Sequence, residues 1–156
     1  MTPQHYILQG QSIVVNISPM GFHRYARHYL ETARAAPPFF GFSPVRYYLY
    51  CHSLELALKA FLLAKGSSKT RLKELGHDLA RTLAEADSLD LVDIVQLSPK
   101  QREEVKGANE YYRKKDFEYF TVGRAATAYK GLPDLAVLDE LASSLLERTD
   151  CLCREA

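Results

Sequence analysis

Apolar residues recur at helical spacing in one segment after another of this chain, and the longest such segment lies near its middle. From Ser43 to Gly66, leucine, alanine, tyrosine and phenylalanine occupy nearly every angle around a helix axis. That pattern predicts a rod surrounded by other helices. Ser43 and Pro44 mark its start, because a serine side chain takes free backbone N–H groups and proline suits the first helical position. Gly66 can adopt the left-handed turn that ends a helix. The rod is about 33 Å long for roughly 22 residues. His52, Glu55 and Lys59 interrupt its apolar surface within about 60° of arc. Any chemistry is expected on this narrow polar stripe.

Upstream, residues 1–17 read as an extended N-terminal arm, because Ile13, Val14, Val15 and Ile17 are β-branched and suit a strand. A lone strand must lie along its own bundle, pair with a twofold mate or be partly disordered. Ser18–Pro19 starts a helix whose apolar face is Phe22, Tyr25, Ala26, Tyr29 and Ala33. The opposite face carries His23, Arg24, Arg27, His28 and Arg34, a basic surface that either tracks phosphates or is simply solvated. Pro37–Pro38 end this helix. The phenylalanines of the following loop, Phe39, Phe40 and Phe42, are read as a plug on the end of the core.

Downstream, Ser67 to Arg71 reads as a polar loop, and Leu72 and Leu75 as a short helical turn broken at Gly76. Leu79, Leu83 and Ala86 form the apolar face of a further helix, and Leu91, Val92 and Val95 a short one. Ser98 and Gln101 make a capping box ahead of a helix with Val105, Ala108 and Tyr112 on one face. Arg113, Lys114 and Lys115 are placed in its last turns, where cations complement the negative helix end. Residues 116–133 are irregular, with Phe117, Tyr119 and Phe120 docking. Asp134 begins the last helix, with Leu138, Leu141, Leu145 and Leu152 at near-heptad spacing. The fold class is therefore all-α: an up-and-down bundle of four to five helices over residues 18–156, with the arm outside it.

Composition changes this picture little. A chain of 156 residues holds one core-forming domain, and its formal net charge of +1 gives no global attraction to nucleic acid or anionic membrane. Cys51, Cys151 and Cys153 make no disulfide framework, which points to a reducing, cytoplasmic setting. His52, Glu55 and Lys59 break the longest apolar run and exclude a membrane span. Cys151-x-Cys153 lacks a second ligand pair, so no metal or cofactor is expected. No glycine-rich phosphate loop, nucleophile elbow or HExxH occurs.

Three pieces together resemble the HEPN superfamily of small helical-bundle domains. They are His52-Ser53-Leu54-Glu55-Leu56-Ala57-Leu58-Lys59-Ala60, then Gly76-His77-Asp78-Leu79, then Asn109 to Arg113 running into Phe117-Glu118-Tyr119. The resemblance spans about residues 45–135. It implies a bundle that often forms homodimers, a link to RNA biology, stress or phage defence including toxin–antitoxin systems, and in some members metal-independent RNA cleavage. Cleaving members carry an arginine, four to six residues and then a histidine on a late helix, whereas Arg113 here has no histidine after it.

Two other pairs have that spacing, Arg46 with His52 and Arg71 with His77. On an ideal helix Arg46 lies about 120° from His52 and about 180° from Glu55. His52 and His77 can titrate near neutrality, so with Arg46 they are the candidate catalytic set. Against this, Glu55 and Lys59 have the favourable i, i+4 orientation, and a buried glutamate needs a partner such as His77. Glu55, Lys59 and His77 then form a polar cluster that catalyses nothing. Tyr111 beside Arg113, Lys114 and Lys115 mixes stacking surface with cations and is the candidate RNA-binding segment. The expected function is a noncatalytic module binding RNA, a nucleotide or a protein partner. The alternative is a metal-independent endoribonuclease using His52 or His77.

Overall fold

The structure is a computed structural model that describes residues 14–37, 41–119 and 129–156. All regular structure among them is helical: α1 Pro19–Ala35, α2 Pro44–Ala64, α3 Lys69–Leu75, α4 Leu79–Ser88, α5 Leu91–Ile94, α6 Pro99–Tyr112 and α7 Leu135–Glu155. That makes seven helices among the described residues, against the four to five expected. The excess comes from α3 and α5, of 7 and 4 residues, which lie inside connections.

The start signals work as their chemistry dictates. Ser18 and Ser43 accept from the backbone N–H groups of Gly21 and Arg46, each just ahead of a proline. Ser98 and Gln101 form the reciprocal box, and Asp134 accepts from Ala136 N–H. Ser68 also caps, so Lys69 to Arg71 are already helical rather than loop. Gly66, at φ +91°, ends the turn after α2 in a conformation that other residues resist.

The core is built on α2, against which α1, α3, α4, α6 and α7 all pack. Tyr50, Cys51 and every residue from Ser53 to Leu62 are buried, as an apolar surface on all sides requires. Burying a side chain such as Leu58 or Phe61 contributes about 1.5–3 kcal/mol, so this helix anchors the rest. Ser53 hides its hydroxyl among those residues by donating to the Ala26 carbonyl of α1 at 2.7 Å. No helix among the described residues is long and apolar enough to cross a membrane.

Several expectations are corrected. His23 does not belong to the basic face of α1: it is buried against α7, where its Nε2 meets the Leu146 carbonyl at 2.7 Å. Tyr25, placed in the core by spacing, is exposed, and Leu30 takes up core space instead. The α1 axis is thus rotated slightly from the face that aromatic spacing picked out. Residues 14–17 carry no regular structure, and Val14 and Val15 are exposed; Ile13 lies outside the described residues. Phe42 does plug the core, with its ring against Tyr47, Phe117 and Tyr129; Phe39 and Phe40 lie outside the described residues. Phe117 docks, but Tyr119 is exposed, and Phe120 lies outside the described residues. Arg113 is the C-cap of α6, and Lys114 and Lys115 lie beyond its end rather than in its last turn.

Candidate functional site

The polar stripe of α2 converges on one carboxylate. Glu55 is 2% exposed and accepts from three donors contributed by three segments. Lys59 Nζ, one turn along, donates to Oε1 at 2.6 Å and to the Gly76 carbonyl at 2.7 Å. On the other oxygen, Tyr112 Oη from the end of α6 donates to Oε2 at 2.6 Å. His77 Nδ1, in the turn before α4, lies 2.9 Å from the same Oε2. Burial raises the Glu55 pKa, but the Lys59 charge and the bonds from Lys59, Tyr112 and His77 outweigh it and hold it below the usual carboxylate value.

Ionised Glu55 can only accept, which fixes the protons around it. His77 must present Nδ1–H, leaving Nε2 as its unprotonated nitrogen in the neutral ring; its side chain is 46% exposed. Tyr112 spends its only hydrogen on Glu55, so its oxygen accepts from His52 Nδ1–H at 2.7 Å. Burial and the adjacent Glu55 charge push the Tyr112 hydroxyl far up and keep it protonated. Burial lowers the His52 pKa, and Glu55 opposes that only in part, so His52 is neutral. Its ring lies edge-on to Tyr29 and stacks on Tyr48. One carboxylate thereby sets the tautomers of both histidines, directly for His77 and through Tyr112 for His52.

A second layer ties the turn to α6. Asn109 Oδ1 accepts from Leu79 N–H at 2.8 Å, and its amide donates to Asp78 Oδ1 at 3.1 Å. The same Asp78 oxygen caps α4 by accepting from Arg81 N–H. Sequence reasoning missed Tyr112, Asn109 and Asp78 as members of this cluster. A signal existed: Asn109 falls on the stripe Val105, Ala108, Tyr112, and an amide on a core face needs buried partners.

The structure brings together His52, Glu55, Lys59 and His77, and leaves Arg46 out. The Arg46 side chain interacts with the Tyr50 hydroxyl, which donates to Asp139 of α7, across the helix from Glu55. The catalytic set His52, His77 and Arg46 is therefore not assembled, as helix phase requires. Arg71 is likewise engaged elsewhere, by Glu85 and Glu74.

The segment 111–115 is also less free than its composition implies. Tyr111 packs its ring against Phe117 and Tyr129, and its hydroxyl bonds the Lys130 backbone, so its ring is engaged within the fold. Lys114 pairs with Glu110 at 3.6 Å, Arg113 approaches Asp78 at 4.0 Å, and Lys115 lies over the Tyr119 ring. Cys51 is buried among the core side chains, and burial pushes its thiol far up. Cys153 is also buried, with its thiol pushed up to about 11, while Cys151 is exposed. Among the described residues no group of histidine, cysteine and carboxylate side chains is placed to hold a metal ion. No family model, curated protein or solved structure matches the chain significantly.

Proposed function

We propose that the chain is a noncatalytic HEPN-like module, an up-and-down helical bundle that works as a homodimer and binds RNA in a stress or defence setting. A nucleotide or a protein partner are the other ligands this reading admits. The observation that carries it is the engagement of Glu55. Its two oxygens are taken by Lys59, Tyr112 and His77, and Lys59 spends a further hydrogen on the Gly76 carbonyl. A cluster so occupied clamps α2 to the turn before α4 and to α6. Cleavage needs instead a base and a cation converging on one phosphate, and Arg46 faces away. The experiment is RNA retention measured beside product formation in EDTA, with sedimentation to count subunits. Retention without cleavage, by a dimer, is expected; absence of retention rejects the RNA form of the reading.

A second reading has one observation in its favour. A carboxylate held against Nδ1 of a half-exposed histidine ring, as Glu55 is against His77, is the arrangement of an oriented general base. A metal-independent endoribonuclease of the toxin or defence type would use it. Total RNA incubated in EDTA with the wild type and with the His52→Ala/His77→Ala variant separates the two readings. Cleavage lost in the variant supports the enzyme, and cleavage undiminished in the variant excludes it.

A further inference from the structure

Outside the Glu55 cluster, a groove of about 720 Å³ runs between α1 and α7. Its floor is apolar, made by Leu30 and Leu146 with Met20, and His23 lies buried in it. Its walls carry four guanidinium groups, Arg24, Arg27 and Arg34 from α1 and Arg154 from α7, against two carboxylates, Glu147 and Asp150.

The partners of these groups show where charge is left over. Arg34 is held by the Asp139 carboxylate through Nε at 2.8 Å and Nη2 at 2.6 Å, and it also donates to Ser143 Oγ. Arg154 Nε donates to Asp150 at 2.6 Å. Arg27 Nη2 stands 3.9 Å from that same Asp150, beyond hydrogen-bond reach. Arg24 makes no ion pair among the described residues. His23 donates Nε2–H to the Leu146 carbonyl, a group that only accepts, so Nδ1 faces Asp150 at 3.8 Å without a proton to give. Burial keeps that ring neutral. Asp150 thus stands near two guanidiniums and is bonded to only one of them, Arg154, so the forks of Arg24 and Arg27 are unspent.

Helix geometry makes these forks a ladder. Arg24 and Arg27, one turn apart, fall within about 60° of arc and stand about 4.5 Å apart along α1, with the committed Arg34 further down the same face. A planar guanidinium takes two oxygens of one phosphate, and a ladder of them suits a ligand that repeats its negative charge along its length. Among the described residues no phenylalanine, tyrosine or tryptophan lines the groove and the His23 ring is buried, so bases have no exposed ring there to stack on and backbone contact remains.

We infer that the α1–α7 groove is the site that binds a phosphate chain, through Arg24 and Arg27, without regard to base sequence. This deepens the RNA-binding reading and rests on it, moving the contact from residues 111–115 to α1 and α7. Glu147, exposed in the groove wall and without an ion pair among the described residues, opposes the ligand and limits its affinity.

The test is fluorescence anisotropy with a labelled single-stranded oligouridylate, competed by inorganic polyphosphate and by polyglutamate, over a salt series. Proteins compared are the wild type, Arg24→Ala/Arg27→Ala, Glu147→Gln and Arg113→Ala/Lys114→Ala/Lys115→Ala, each checked for an unchanged melting profile. The proposal expects about tenfold weaker binding in the α1 variant, with a salt slope smaller by about 1.4 for two lost phosphate contacts. Glu147→Gln binds more tightly, the 113–115 variant binds as wild type, and polyphosphate competes better than polyglutamate. Wild-type binding that survives Arg24→Ala/Arg27→Ala overturns the groove and leaves the RNA-binding reading standing. Stronger competition by polyglutamate overturns the phosphate assignment. A wild type that holds neither oligouridylate nor polyphosphate removes the RNA-binding reading and the groove with it.

Discussion

Two clusters in this molecule use the same parts in opposite arrangement. Around Glu55 the carboxylate is buried and its histidine, His77, is half exposed, with side-chain exposures of 3% and 46%. Around Asp150 the histidine, His23, is buried at 1% and the carboxylate is open to water at 30%. Each has cations close by, Lys59 for Glu55 and Arg154 and Arg27 for Asp150. The difference teaches which charges a fold consumes. A buried carboxylate must be fully paired or its desolvation is uncompensated, so Lys59, Tyr112 and His77 are committed to it. A carboxylate already solvated needs no such commitment, and the arginines around it keep donors in hand.

Removing the buried charge is the strongest way to break that contrast. Glu55→Gln keeps the shape but sets an amide against Lys59 and two further donors. Losing one partner of a buried pair costs about 3–5 kcal/mol, measured as a fall in the denaturant midpoint at unchanged slope. A cycle with His77→Ala isolates the shared bond, and a coupling of about 0.5–3 kcal/mol is expected for residues in one network. Additive effects of the two changes dissolve the clamp. Tyr112→Phe removes one hydroxyl and leaves His52 Nδ1–H without its acceptor. A loss of about 1–3 kcal/mol follows for a buried group left unsatisfied, and the His52 ring resonances should shift in proton–nitrogen spectra.

How far the sequence foretells this depends on what kind of signal each part carries. Caps at Ser18, Ser43, Ser98 and Asp134 were legible because they act within four residues of themselves. The grouping of His52, Glu55 and Lys59 was legible because helix phase alone brings them together. Tyr112 joining Glu55 across 57 positions was not, since nothing local says which buried face of α6 meets α2. His23 was misplaced for a related reason. Its spacing puts it beside Arg24 and Arg27, and only the packing of α7 over α1 reveals that it is sealed off. Short helices such as α3, capped by Ser68, are set by a single side chain and a tertiary contact, so periodicity has too few turns to register them.

The buried histidines and the buried carboxylate respond to acid over different ranges. His23 and His52 are buried and neutral, with pKa values below their ordinary 6.5, chiefly through burial. The unfolded chain therefore takes up protons at these positions before the folded one does. Their contribution to stability is full above about pH 6.5 and is lost progressively as the pH falls through the lower folded values. Glu55 is depressed below its ordinary 4.5, so its contribution is full above that value and fades only further down, as the pH drops through the folded pKa. Melting temperature should fall in two stages on acidification. His52→Asn, whose amide replaces the Nδ1–H donor without titrating, should flatten the first stage and leave the second in place. A first stage that persists with both His23 and His52 replaced by non-titrating residues contradicts the burial argument.

The smallest expected effect bears most directly on what the solvated cluster is for. Arg27 lies 3.9 Å from Asp150 with 48% of its side chain exposed. Water screens that pair, and holding a long side chain in place offsets much of the attraction, so Arg27→Ala should change stability by about 0–1 kcal/mol. Thermal melts at low and at high salt read this out, with the small difference shrinking as salt rises. A loss approaching that of Glu55→Gln would mean that Arg27 is spent on the fold after all, and the contrast between the clusters would collapse. A near-zero value leaves its guanidinium unclaimed by the core, in a groove where the neighbouring Arg24 is equally unclaimed.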